Sequence, residues 1–132
     1  MLILEWNKYL GELGVEKDTY PLKDSFNGGS EHGLDVIEEA GVLSGQTWNL
    51  NLTLAMVLYC YMRAYREAKL SHPIYVSKKD WDKILEDIID GFAEYIKAAT
   101  AQDVSWSEQE AKAKLLRRSL KLMGKHWEAL WW

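Results

Sequence analysis

Two rows of opposite charge carry the clearest chemistry in this sequence. Asp82, Glu86, Asp90 and Glu94 recur at every fourth residue. Lys114, Arg118, Lys121 and Lys125 recur at three- and four-residue intervals, with Arg117 beside them. Side chains spaced in this way share one face of an α-helix. Three readings follow. The rows can pair, across neighbouring antiparallel helices or across two subunits. The basic row can hold an anion, because Arg117 and Arg118 offer forked donors suited to phosphate or carboxylate. Or both rows are solvated faces, where an exposed ion pair contributes only about 0–1 kcal/mol. A metal reading of the acidic row lacks its usual companion, a Glu three places before a His. Neither His72 nor His126 has one.

Other catalytic patterns are missing. There is no Walker loop, dinucleotide-type glycine fingerprint, nucleophile elbow or zinc-ligand spacing. Ser30, Glu31 and His32 are triad residue types, but adjacent residues cannot align as nucleophile, base and orienter. The single cysteine, Cys60, lies in an apolar run and reads as a buried, inert thiol. The expectation is a protein that is not an enzyme and needs neither cofactor nor metal.

The aromatic content points towards binding. Seven Trp and seven Tyr stand against two Phe, and Trp and Tyr favour core edges, interfaces and ligand pockets. Trp127, Trp131 and Trp132 crowd one end of the sequence, where they either close a bundle or anchor another subunit. Trp48 precedes the most apolar segment and either staples a helix start or stacks on a base. The candidate ligand-binding residues are therefore Arg63, Arg66, Arg117, Arg118, Lys121 and Trp48. The candidate interface residues are Trp127, Trp131 and Trp132.

Helices must position these groups. Residues 2–13 have the spacing of a short amphipathic helix. Pro21 and the Asn27–Gly33 tract read as loop, and Asp35–Leu43 as a brief helix. Trp48–Lys69 is apolar on two sides. Leu50, Leu54, Val57, Leu58, Tyr61, Tyr65 and Ala68 form one face, while Leu52, Met56, Tyr59, Cys60 and Met62 fill much of the other. Such a helix is central and buried, or carries a second interface. Ser77 is an expected N-cap, and Trp81, Ile84, Leu85, Ile88, Phe92, Tyr95 and Ile96 then follow on one stripe. Ser107 with Glu110 predicts a second capping box. The helix it opens carries Leu116, Leu120, Met123, Trp127, Leu130 and Trp131 on its buried side. Ile74–Val76 is the one β-like run, and it is short.

The expected fold is all-α: three long antiparallel helices plus one or two short N-terminal helices in a small bundle. The whole chain, 132 residues with 48% apolar side chains, suits a single domain with a real core. Within it, residues 1–45 supply short helices and a Gly-rich loop, and residues 46–132 the three-helix core. Net charge is −4, a poor match for general nucleic-acid binding. The start of the sequence lacks a signal-peptide pattern. Leu50–Met62 is too short to span a bilayer. A cytoplasmic location with no membrane contact is expected.

Three blocks resemble a known group of sequences. Trp48-Asn49-Leu50-Asn51-Leu52-Thr53-Leu54-Ala55 resembles the Trp-x-Leu-(Asp/Asn)-x-Thr-Leu-Ala segment of small uncharacterised bacteriophage proteins. Trp81-Asp82-Lys83-Ile84-Leu85-Glu86-Asp87-Ile88-Ile89 is similar to their Trp-Asp-x-Ile-Leu-x-x-Met-Ile block. The ending, with Leu120, Leu122, Met123, Trp127, Leu130 and Trp131, resembles their closing Gly-Leu-x-Leu-Phe-x-x-Tyr-x-x-Leu-Trp, with Ser119 in place of its Gly and Met123 and Trp127 in place of its aromatics. The likeness spans roughly residues 46–132 and brings no catalytic residues. It implies a phage accessory binding protein acting in the host bacterial cytoplasm, a homo-oligomer that counters a defence system. Such a protein would sequester a nucleotide-type, phosphate-containing signal or block a host effector protein. The alternative is a structural or assembly protein that acts only through helical protein–protein interfaces.

Overall fold

Two serines set the frame of the bundle. In the computed structural model, which describes residues 6–15, 50–68 and 71–130, Ser77 Oγ accepts the backbone N–H of Asp80 at 3.1 Å. Ser105 Oγ accepts that of Glu108 at 3.2 Å. Each satisfies a donor that a helix start otherwise leaves unpaired. The described residues form four helices, α1 Trp6–Glu12, α2 Leu50–Ala68, α3 Lys78–Thr100 and α4 Trp106–Lys125, with a 3-10 turn at Trp127–Ala129. No strand occurs among the described residues. Ile74–Val76 falls in the α2–α3 turn, where the Val76 N–H reaches the Pro73 carbonyl at 3.3 Å.

The cap of α4 corrects one expectation. Ser105 and Ser107 each have a Glu three places on, so both fit a capping box. The chain uses the earlier one, with Ser105 in extended backbone. Trp106 and Ser107 thereby become helical. Gly14 explains the end of α1. Its φ of +78° lies where only glycine is unstrained. The Val15 N–H returns to the Leu10 carbonyl at 3.1 Å and the Gly14 N–H to Gly11 at 3.0 Å, while Leu10 and Val15 are both buried. This is a Schellman ending with its apolar contact.

Cross-helix contacts fix the topology. Glu94 meets Lys112, and Gly91 lies against Leu115 and Ser119, so α3 and α4 run antiparallel. Asn51 meets Tyr95 and Arg66 meets Glu86, so α2 and α3 do too. Glu12–Arg63 and Tyr9–Glu67 give the same sense to α1 and α2. The bundle is therefore the expected all-α one, but its central member is α3. Trp81, Leu85, Ile88, Phe92 and Ile96 are buried along it, with α2 on one flank and α4 on the other.

That arrangement decides between the two apolar sides of α2, which is not the central helix. Among the described residues the helix is not wrapped on most sides. Its buried residues are Thr53, Ala55, Met56, Tyr59, Cys60 and Met62. Leu50, Leu54 and Tyr61, from its other apolar face, are exposed. Small Thr53, Ala55 and Cys60 alternate on the buried side with bulky Met56, Tyr59 and Met62. Trp127 is also corrected: it is 61% exposed rather than part of the buried stripe of α4. The helix stops at Lys125, and the tighter winding of the 3-10 turn rotates Trp127 outward. Leu120 is exposed as well, and Ser119, Met123 and His126 occupy the buried side. The expected Asp35–Leu43 helix and the Asn27–Gly33 loop lie outside the described residues, as do Trp48, Trp131 and Trp132.

Candidate functional site

The outer side of α2 is an apolar strip that nothing described covers. Leu50 is 47% exposed, Leu54 50% and Tyr61 42%, and Leu58 is half-buried between them. At its C-terminal end the strip runs into a groove of about 690 Å³, lined by Leu58, Tyr61, Met62, Tyr65, Met123, Trp127 and Leu130 among others. Among the described residues Glu128 is the single charged side chain on that lining. The Tyr65 hydroxyl donates to the Ala129 carbonyl at 3.2 Å, holding the 3-10 turn against α2. A contiguous exposed apolar patch is uncommon on a protein that acts alone.

A second groove, of about 610 Å³, follows the seam between α3 and α4. Asp87, Asp90 and Glu94 stand on its α3 side, and Arg118, Lys121 and Lys125 on its α4 side. Leu115, Leu122, Gly91 and Ser119 form the floor. The helices come closest at Gly91, where an added Cβ would collide with Ser119 Oγ and stand 2.8 Å from the Leu115 carbonyl. Asp90 and Glu94 of the acidic row thus face Arg118, Lys121 and Lys125 of the basic row along one seam without pairing with them, while Glu86 turns to Arg66 of α2. Lys112 reaches Glu94 at 3.0 Å, and Lys97 at 3.1 Å joins them. Hydrogen bonds from Lys112 and then Lys97 hold the Glu94 carboxyl below the usual range. Asp90 moves the other way: burial, with Glu86 and Asp87 nearby, pushes its carboxyl up.

Arg63 is committed elsewhere. Its guanidinium donates to Glu12 Oε2 and to the Tyr59 hydroxyl, both at 2.7 Å, and lies 4.8 Å from the Tyr9 ring centroid. Burial works against its charge, but the Glu12 and Tyr59 hydrogen bonds outweigh that and hold it firmly protonated. Glu67, accepting from Tyr9 at 3.0 Å and Lys8 at 3.3 Å, closes this cluster. It clamps α1 onto α2, and Arg63 has few donors left for a ligand.

The expected anion-binding residues therefore do not converge. Arg118 and Lys121 share the α3–α4 groove, while Arg117 is exposed beside it and does not line it. Arg63 belongs to the α1–α2 clamp, and Arg66 faces Glu86 at 3.9 Å across the α2–α3 seam. Among the interface candidates, Trp127 stands on the rim of the apolar groove. Leu54 and Tyr61 were not singled out from sequence. The signal that finds them is the all-round apolar character of α2, which already allowed for a second interface.

Cys60 is buried and its thiol is pushed up to about 11 by that burial, so little thiolate forms near neutrality. His126, 6% exposed, is stacked under Tyr75 and stands edge-on to Trp81. With its proton on Nε2, the imidazole accepts from the Tyr75 hydroxyl at Nδ1 over 2.8 Å. Burial, then Lys125, lowers its pKa. The Trp81 Nε1–H has no acceptor among the described residues. Among the described residues no group of three His, Cys, Asp or Glu is placed to hold a metal, and no helix is long and apolar enough to cross a membrane. Neither family models, curated proteins nor solved structures contain a match to this chain.

Proposed function

We propose that this protein is a non-enzymatic binding protein that occupies a protein partner through the outer face of α2. The observation that carries this reading is the strip from Leu50 through Leu54 and Leu58 to Tyr61, which opens into the groove under Trp127. A strip ending in a groove, with leucines at helical spacing and an aromatic on the rim, suits an amphipathic helix laid along it. Anchors such as Tyr61 and Trp127 commonly dominate the energy of such contacts. The phage resemblance supplies the setting: a host effector protein, blocked in the bacterial cytoplasm.

Capture from infected-host lysate tests this when three baits are compared. A partner retained by the wild type and by Arg118→Glu, and lost by Leu54→Asp with Tyr61→Asp, supports the reading. With that partner purified, Trp127→Ala weakens binding at least about tenfold, equivalent to about 1.4 kcal/mol. Equal capture by all three baits, or capture by none, overturns it.

Sequestration of a nucleotide-type signal is the second reading, and one observation favours it: Arg118, Lys121 and Lys125 line a single groove. Against it stand Asp87, Asp90 and Glu94 on the opposite wall, which would repel a phosphate. Its test is thermal stabilisation by cyclic oligonucleotides. A ligand at one hundred times its Kd adds about 2.7 kcal/mol, and Arg118→Ala must remove that gain.

A further inference from the structure

The α3–α4 groove has rims of opposite sign and an apolar floor. Asp87 and Asp90 stand on one side, Arg118 and Lys121 on the other, and Leu115 and Leu122 lie between. The floor keeps the rims apart. Among the described residues, Asp90, Arg118 and Lys121 form no ion pair, and Asp87 pairs only with Lys83 of its own helix. A surface zoned in this way has a definite symmetry property. A two-fold axis parallel to the groove and lying in the contact plane carries the acidic rim of one copy over the basic rim of the other, on both sides at once. An axis across the groove would set like charges face to face. Closed two-fold association is the commonest way a soluble chain pairs with itself.

We propose that this groove is a homodimer interface, with a second copy of the chain seated on it about a two-fold axis parallel to α3 and α4. Asp87 and Asp90 of each copy meet Arg118 and Lys121 of the other, and the leucine floors face each other. The result is a four-helix arrangement in which each α3 lies over the second copy's antiparallel α4. Burial raises the Asp90 carboxyl, Glu86 and Asp87 add to the rise, and Lys83 and Arg66 oppose it without forming an ion pair with it. This surface is separate from the outer face of α2, so either assignment can fail without the other.

Charge exchange tests the geometry. The first variant, Arg118→Glu with Lys121→Glu, makes both rims acidic. The second, Asp87→Lys with Asp90→Lys, makes both basic. The wild type is expected at twice its 15.3 kDa chain mass by light scattering at high micromolar concentration. Each variant alone is expected at the single-chain mass, and an equimolar mixture again at twice it. A monomeric wild type overturns the proposal. So do variants that dimerise alone, or a mixture that stays monomeric while both components keep their helical circular dichroism. Should a variant unfold, wild-type salt dependence decides. A dimer joined by rim charges weakens with added salt, whereas one joined through the apolar strip of α2 holds or strengthens, which also overturns the proposal.

Discussion

Met56 and Leu54 stand two residues apart on α2, alike in size and apolar character, and meet opposite fates. Met56 is completely buried, and Leu54 is half exposed. Around Met56 the inner side gathers Ala55, Tyr59, Cys60 and Met62 against α3; around Leu54 the outer side holds Leu50 and Tyr61 in the open. Removing apolar surface from water stabilises a fold wherever it happens. The outer side therefore keeps free energy that the isolated bundle does not use. The inner side serves folding, and the outer side is what remains for a partner.

The largest expected effect breaks the inner side. Met56→Ala leaves a cavity in a packed core and costs about 2–5 kcal/mol, read as a lower urea midpoint at unchanged slope. Next comes the α3–α4 seam. Gly91→Ala drives a methyl group into Ser119 and the Leu115 carbonyl, and overpacking of this kind costs about 1–3 kcal/mol. Gly124, on the same seam's second helix, has nothing within 4 Å of a new Cβ. Gly124→Ala should instead stabilise by up to about 1 kcal/mol, through helix propensity alone. Opposite signs for the two glycine substitutions would confirm that α3 and α4 touch at Gly91, and equal signs would refute it.

These contrasts mark what the sequence can and cannot disclose. The Ser77 cap and the stripe from Trp81 to Ile96 are local, one-sided patterns, and they translate directly into α3. α2 has two apolar sides of equal periodicity, so the choice between them is made by the partner helix, which no local pattern encodes. Ser105 and Ser107 present the same ambiguity in miniature, as two capping boxes two residues apart. The candidate site behaves likewise. Both charge rows were legible as rows, but their confrontation across one groove depends on the rotation of α4 against α3. Arg63 was drawn from the ligand set by Glu12, 51 residues away, a contact created only by the fold.

A smaller effect lies in pH. The His126 imidazole, folded beneath Tyr75 and beside Trp81 and Lys125, has its pKa lowered from 6.5 by burial first and Lys125 second. The unfolded chain therefore binds this proton more readily. The associated stability is present above pH 6.5 and is lost as pH falls through the folded pKa. Glu94, lowered from 4.5 by Lys112 and Lys97, adds a second loss at more acidic pH. Asp90, raised from 3.8, acts in the opposite sense there. Urea midpoints measured across the weakly acidic range should fall for the wild type and stay flatter in His126→Asn, which cannot take up the proton. A parallel fall in the variant would remove His126 from the account.

The smallest effect is the most diagnostic for the comparison. Leu54→Ser removes a side chain that is as apolar as Met56, in the same helix, one half-turn away. If the outer face of α2 is free in the isolated chain, the change touches only solvent-exposed surface and shifts stability by no more than about 0.5 kcal/mol. If the face is instead covered within the folded chain, the same substitution exposes a vacancy and approaches the Met56→Ala cost. Raising protein concentration then separates the remaining case. Stability that depends on concentration in the wild type and not in Leu54→Ser would mean that copies of the chain meet through this strip. That outcome would move self-association from the charged seam to the leucine face, and with it the surface left over for any other partner.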